Sequence, residues 1–247
     1  MRIPRIFQDG GYASGDILQL SAGAGHHVAD VLHMKPGQSI ILFNGTGGYF
    51  DCRIRSIEKK HRVLVEIGRE HVDEQISTLN ITLVQGISRG QRMDYTLQKA
   101  VELGVGCVVP VFCEFGNVKL AGPRQESRLE HWRKLAISAC EQCGLNRIPS
   151  IQPPIKLADW IESRHAGLKI ILHPVSDGNL LQIPQTERDI IILAGPEGGF
   201  SENEVHMAIT NGYHAIRLGP RTLRTETAAL VAITACQVLW GDICPSG

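Results

Sequence analysis

Two stretches near the C-terminal end constrain the fold more than any other part of the chain: residues 190–205, IIILAGPEGGFSENEV, and residues 215–233, AIRLGPRTLRTETAALVAI. Each runs from an aliphatic strand through a Gly/Pro turn into the start of a helix. A loop of this kind is where α/β proteins hold ligands, because backbone N–H groups at a helix start point outward without partners. Ile190 to Leu193 is a continuous apolar run that suits a strand buried on both faces. Ala194, Gly195, Pro196, Gly198 and Gly199 then leave little side-chain bulk between the backbone and a ligand. Ser201 and Glu204 have capping-box spacing, which predicts a helix just after Phe200. No Gly-Lys-Ser/Thr follows and the G-x-G-x-x-G spacing is absent, which excludes a phosphate loop and a dinucleotide fingerprint.

The second stretch carries a local conflict. Ile216 to Leu218 reads as a short strand, Gly219 and Pro220 turn the chain, and Arg221 and Arg224 precede a helix opening near Thr225. Two cations at the positive end of a helix dipole are unfavourable unless an anion or electron-rich group is bound there. Such a conflict marks a functional site. From Thr227 to Trp240 the helix is apolar almost all round, which predicts burial, and it is too short to span a bilayer.

The chain changes character near residue 75. Before it, Ile17 to Leu20, Ser39 to Phe43, Tyr49 to Ile57 and Arg62 to Ile67 read as short strands broken by turns such as NGTGG at 44–48, the pattern of a small barrel. His71 to Ser77 reads as a polar linker. Beyond it strands and helices alternate: Ile81 to Gln85, a helix over Gln91 to Leu103, Cys107 to Val111, a helix around Glu126 to Cys143, then Ile170 to Leu172. Alternation of this kind implies a mostly parallel sheet covered by helices. At 247 residues the chain is long enough for one domain or two.

Formal net charge is zero, so a nucleic-acid partner has to be sought in the distribution of charge. Arg53, Arg55, Lys59, Lys60 and Arg62 form a basic stretch offset by Glu58, and Arg2 and Arg5 mark the N-terminus; a solvated hairpin face has the same composition. Seven scattered cysteines suggest no disulfide framework. The C-x-x-C of Cys140 and Cys143 lacks a second pair, so it reads as reduced helical thiols, and no metal is expected. His26 and His27, adjacent and diverging, read as structural. No apolar h-region or membrane span is present, which predicts a soluble, cytoplasmic protein.

Several separated words together resemble the ribosomal RNA small-subunit methyltransferase E family, within the SPOUT class of S-adenosylmethionine-dependent methyltransferases. They are LAGPEGGFSENEV at 193–205, LGPRTLRTETAAL at 218–230, RMDYTLQKAVELGV at 92–105, SACEQCGLNRIP at 138–149 and the opening MRIPRIF. Leu145 and His33 depart from the family's pattern. The resemblance covers nearly the whole chain and implies a PUA-like β-barrel over residues 1–72 for RNA contact. A SPOUT α/β domain with a deep trefoil knot would follow over 73–247. It also implies a homodimer that methylates N3 of a uridine in the decoding region of 16S rRNA within the small ribosomal subunit.

The resemblance gives the candidate residues their roles. S-adenosylmethionine would lie among three strand-end loops, at Leu172, His173 and Pro174, at Ala194, Gly195, Pro196, Glu197, Gly198 and Gly199, and at Leu218, Gly219 and Leu223. Glu197 would hold its loop or a partner subunit. Uridine N3 becomes nucleophilic on losing its proton, and a fixed guanidinium would stabilise the resulting anion. Arg224 is the first candidate for that role and Arg221 the second, with RNA phosphate binding the alternative for both. Glu226 would either orient an arginine or accept the proton. Arg2, Arg5, Arg53, Arg55, Lys60 and Arg147 are the candidate RNA contacts. Glu141, Gln142 and Asn146 stand beside Arg147 as a polar group open to the same role. Lys99 and Glu102 read as helix architecture. Two rival readings remain: a methyltransferase acting on a ribose 2′-oxygen, and a non-catalytic RNA-binding or assembly protein.

Overall fold

The computed structural model describes residues 3–72, 77–118, 120–163, 165–184 and 187–243, apart from the side chain of Lys60. The chain forms two compact units, Met1–Ile76 with Ile137–Ile148, and Ser77–Ala136 with Pro149–Gly247. Arg2 lies outside the described residues.

The first unit contains β1 (Arg5–Phe7), β2 (Ile17–Gln19), a short helix α1 (Ala22–His26), β3 (Ser39–Phe43), β4 (Tyr49–Glu58) and β5 (Arg62–His71). They form one sheet in the order β1-β3-β4-β5-β2. β1 runs parallel to β3, and the other pairs are antiparallel. Strict alternation explains β4: Phe50, Cys52 and Ile54 are buried while Asp51, Arg53 and Arg55 face outward. The inward residues meet Val63, Val65 and Ile67 of β5, and Ile6 of β1 and Leu20 beyond β2 belong to the same core. The barrel is thus a curled sheet whose edge strands share a core without pairing to each other among the described residues. β1 and α1 were not legible as elements. β5 extends to His71, so the expected linker cannot begin there; its residues 73–76 lie outside the described residues.

The second unit is built on a parallel sheet. Its elements are β6 (Asn80–Gly86), α2 (Gln91–Glu102), β7 (Val105–Phe112), α3 (Pro123–Cys143), β8 (Ser150–Ile151), β9 (Ile155–Lys156), α4 (Leu157–Glu162), β10 (Leu168–Leu172), β11 (Asp189–Ala194), α5 (Glu202–Thr210), β12 (His214–Ile216) and α6 (Thr225–Trp240). From Ile137 onward α3 belongs to the first unit. The strand order is β12-β10-β11-β6-β7-β8, with β9 also paired to β7, and every described pair is parallel.

Val84, Val109, Val111, Ile171, Ile191 and Leu193 pack on one face of this sheet against Leu157 and Ile161 of α4 and Ala208 of α5. Ile190 and Ile192 alternate with them and are fully buried, as a sheet covered on both sides requires. Each such side chain contributes about 1.5–3 kcal/mol relative to its exposed state. The capping box forms as its spacing predicts: Ser201 accepts from Glu204 N, and Glu204 accepts from Ser201 N.

Two expectations need correction. β12 ends at Ile216, two residues before the expected Leu218, because pairing with β10 stops at Leu172–Ile216. Helix α6 is not buried all round: Ala229, Ala232, Ile233 and Cys236 are buried, but Val231, Val238 and Leu239 are about two-fifths exposed. It packs on α2, β6 and β11, and that cover leaves one apolar flank open.

Candidate cofactor and active site

β12, β10 and β11 are neighbours and run parallel, so their carboxyl ends fall on one edge of the sheet. The loops leaving those ends converge for that reason. Between them lies a cavity of about 450 Å³, within the usual range for small-molecule sites. Leu172, His173 and Pro174 line it from the end of β10, residues 194–200 from the end of β11, and Leu218, Arg221, Leu223, Arg224 and Glu226 from the third loop and α6. Of the expected cofactor residues only Gly219 stands outside the lining; it has φ +79°, and it turns the chain.

The loop after β11 is held close to the sheet. A Cβ at Gly86, the last residue of β6, would stand 2.4 Å from Pro196 N. Gln85, fully buried, donates from Nε2 to Thr225 Oγ1 at 3.0 Å. The Thr225 hydroxyl in turn donates to Gly195 O. The start of α6 is thereby tied to the glycine loop.

Glu197 Oε1 accepts from Arg89 N and from Arg92 Nη1, each at 2.9 Å. Burial raises the affinity of this carboxyl for its proton, but the bonds from Arg89 and Arg92 outweigh it and hold the group below the usual glutamate range. Glu197 therefore secures its loop to the start of α2.

Arg224 is the N-cap residue of α6 and makes no side-chain cap bond. Arg221 and Arg224 are exposed and take part in no ion pair among the described residues. Two unpartnered guanidinium groups beside a helix N-terminus can receive an anion that develops in the cavity. Glu226 lines the same cavity, and its Oε2 is buried without a hydrogen-bond partner. A buried orphan acceptor is costly, which suits a carboxylate that meets a donor on a ligand.

Several lining or supporting residues were missed from the sequence: Arg92, Phe200, Arg217 and Thr225 in the lining, and Gln85 behind it. Gln85 carried a signal, as a polar residue closing an aliphatic strand. Arg92 opens the RMDYTLQKAVELGV stretch, but its pairing with Glu197 spans distant positions.

Of the candidate RNA residues, Arg5, Arg53, Arg55 and Arg147 have described side chains, and these four belong to the first unit. Arg53 and Arg55 project from the outer face of β4, and Arg55 Nε pairs with Glu66 Oε2 at 3.0 Å. Arg5 donates to Asn146 Oδ1 and lies 5.1 Å from the Tyr49 ring centroid. Arg147 is exposed, with its backbone bridged to Gly45 and Thr46. Glu141 accepts from Phe7 N at 2.9 Å, so Glu141 and Asn146 hold this unit together. Burial raises the Glu141 carboxyl above its ordinary range despite the Phe7 bond and His27 nearby. Lys99 and Glu102 pair with each other at 2.7 Å. Burial pushes the Cys140 thiol up to about 12, aided by Cys143 and Glu141, and none of the described cysteines is in a disulfide.

Known proteins supply the rest. The RNA methyltransferase domain model matches residues 75–237, and the RNA methyltransferase PUA domain model matches residues 20–68. A ribosomal RNA small subunit methyltransferase E of Buchnera aphidicola (from Schizaphis graminum) is 35% identical over 98% of each chain. A Legionella pneumophila methyltransferase, solved with its cofactor S-adenosylmethionine, superposes with a TM-score of 0.95 at 39% identity, over 98% of this chain and 100% of that one. The Neisseria gonorrhoeae ribosomal RNA small subunit methyltransferase E bound to S-adenosylmethionine gives 0.92 at 39% identity, over 98% and 100%. Fold and site thus define the class: an RNA methyltransferase with a PUA domain ahead of its α/β domain. Within that class, the chain belongs to the ribosomal RNA small subunit methyltransferase E family.

Proposed function

We propose that this protein transfers the methyl group of S-adenosylmethionine to N3 of a uridine in the decoding region of 16S rRNA, giving 3-methyluridine in the small ribosomal subunit. The observation that carries the reading is the cavity at the three strand ends, with Arg221, Arg224 and Glu226 on its wall. Relatives of similar length are bound to the same cofactor.

The residues present fit that cofactor: the glycine loop exposes backbone, and the orphaned Glu226 Oε2 is an acceptor for an ammonium or hydroxyl donor. When bound, S-adenosylmethionine supplies a methyl group activated by its sulfonium. Leu172, His173 and Pro174, residues 194–199, and Leu218 and Leu223 hold it, and Gly219 shapes the third loop. Arg224, with Arg221 beside it, stabilises the negative charge that spreads onto the uracil carbonyl oxygens as the N3 proton leaves. Glu226 accepts that proton or orients Arg224.

Residues 1–72 supply RNA contact and residues 73–247 the chemistry. Arg53 and Arg55 bind phosphates from the outer face of β4, with Arg147, Arg5, Arg2 and Lys60 in the same role. The exposed flank of α6, with Val231, Val238 and Leu239, supports a homodimer, and the family resemblance supports a trefoil threading of the C-terminal segment. A substrate of this kind places the protein in the cytoplasm. Exposing a packed uridine costs free energy, so assembled particles are better substrates than naked rRNA.

Primer extension on small subunits from cells lacking the gene tests this. After incubation with protein and S-adenosylmethionine, a new stop should appear at one uridine, because an N3 methyl blocks the pairing edge. A modified nucleotide that is read through, with resistance to base hydrolysis, would point to the ribose oxygen and overturn the assignment.

A further inference from the structure

We propose that His26, Asp30 and His61 form a binding site for a divalent transition-metal ion on the N-terminal unit. His26 and Asp30 stand one helical turn apart, so their side chains share a face. His61 comes from the turn between β4 and β5. Nδ1 of His26 and Nδ1 of His61 each lie 2.6 Å from the same oxygen, Asp30 Oδ2. The three ligand atoms fall within 4.8 Å of one another, and all three residues are exposed, so an ion can enter from solvent.

The meeting of these side chains is built into the backbone. A Cβ at Gly25 would stand 2.3 Å from the carbonyl oxygen of His61, so glycine allows α1 to approach the β4–β5 turn this closely. His61 holds a left-handed backbone, φ +58°, which is uncommon for a residue other than glycine. The two imidazole rings meet edge to face, with centroids 5.2 Å apart, so both present Nδ1 to one point.

Two imidazoles and one carboxylate favour zinc, cobalt or nickel over magnesium or calcium. A tetrahedral ion sets its ligand atoms about 3.3 Å apart, from metal–ligand bonds of about 2.0–2.1 Å. Each Nδ1–Oδ2 pair, at 2.6 Å, has to open by about 0.7 Å (3.3 − 2.6) to reach that spacing, a small rotation for exposed side chains. Water completes the coordination. A bound ion would clip α1 to the β4–β5 turn, a role separate from methyl transfer.

The test uses the tag-free full chain, stripped with chelator and titrated with cobalt(II) by visible absorption and with zinc(II) by calorimetry. The expected result is one ion per chain, with tetrahedral cobalt bands and a higher melting temperature. His26→Ala, His61→Ala and Asp30→Asn should each weaken binding by about tenfold or more. His71→Ala is the control, since His71 pairs with Asp51 at 2.7 Å without a second imidazole, and it should bind as wild type does. Circular dichroism confirms that each variant is folded. Absence of binding at millimolar metal would overturn the proposal and leave a hydrogen-bonded triad only. Binding that survives both histidine variants, or that falls equally in His71→Ala, would overturn it as well.

Discussion

Replacing Gly86 with alanine tests how the glycine loop is held. The added Cβ would stand 2.4 Å from Pro196 N, 2.5 Å from Pro196 Cδ and 2.9 Å from Gly195 C. Ordinary Cβ contacts begin at about 3.4 Å, so Pro196 has to retreat by about 1.0 Å (3.4 − 2.4). The sheet cannot yield instead, because Gly86 is the last residue of β6 and pairs with Val111. Overpacking of this kind costs about 1–3 kcal/mol, and each 1.4 kcal/mol is a factor of about ten in affinity. S-adenosylmethionine binding should weaken by about tenfold to a hundredfold. A 1 Å displacement of positioning groups should add a fall of about a hundredfold in turnover. Isothermal titration with the cofactor reads the first effect and a methyl-transfer assay the second, with a melting curve to show that the protein is folded. Gly23→Ala is the control, because a Cβ there meets nothing within 4 Å. Wild-type affinity in a stable Gly86→Ala protein would refute the reasoning, since the loop would then move without consequence.

Arg224→Ala should lower kcat by about a hundredfold to a thousandfold with cofactor affinity little changed; an effect confined to RNA KM and its salt dependence would make Arg224 a phosphate ligand instead. Removing Arg53 or Arg55 should flatten the slope of log affinity against log salt by about 0.7–0.9 per lost phosphate contact, read by filter binding, without changing which base is methylated. Glu141→Gln keeps an acceptor for Phe7 N while removing a carboxyl held above its ordinary range. Such a group stabilises the fold fully below the unfolded-state value and loses that contribution as pH rises through the folded-state value. Urea melts should therefore show Glu141→Gln gaining on the wild type as pH rises above the ordinary glutamate range, and a constant difference would contradict the assigned shift.

The elements legible in the sequence were those fixed by local physics. The aliphatic runs of β6, β10 and β11, the capping box at Ser201 and Glu204, and the glycine turns were read from neighbouring residues, and they place the cavity. Features that depend on distant residues were not legible. Nothing near Ile137–Ile148 signals that this segment joins the first unit, because the bonds that tie it there come from Arg5 and Phe7. The Arg92–Glu197 pair and the Gln85–Thr225 bond are set by packing of separate strands and helices. The meeting of the His26 and His61 rings likewise depends on the turn after β4, which lies far from His26 in the chain. The exposed flank of α6 escaped a reading by composition alone, since apolar residues do not declare which side finds cover.

The most direct test of the central claim is nucleoside mass spectrometry after incubation of the protein with labelled S-adenosylmethionine and small subunits from cells lacking the gene. Labelled 3-methyluridine, formed about a hundredfold to a thousandfold more slowly with Arg224→Ala, is the predicted result. Another labelled nucleoside would contradict the assignment to uridine N3, and folded protein giving no labelled product would contradict the assignment of catalysis itself.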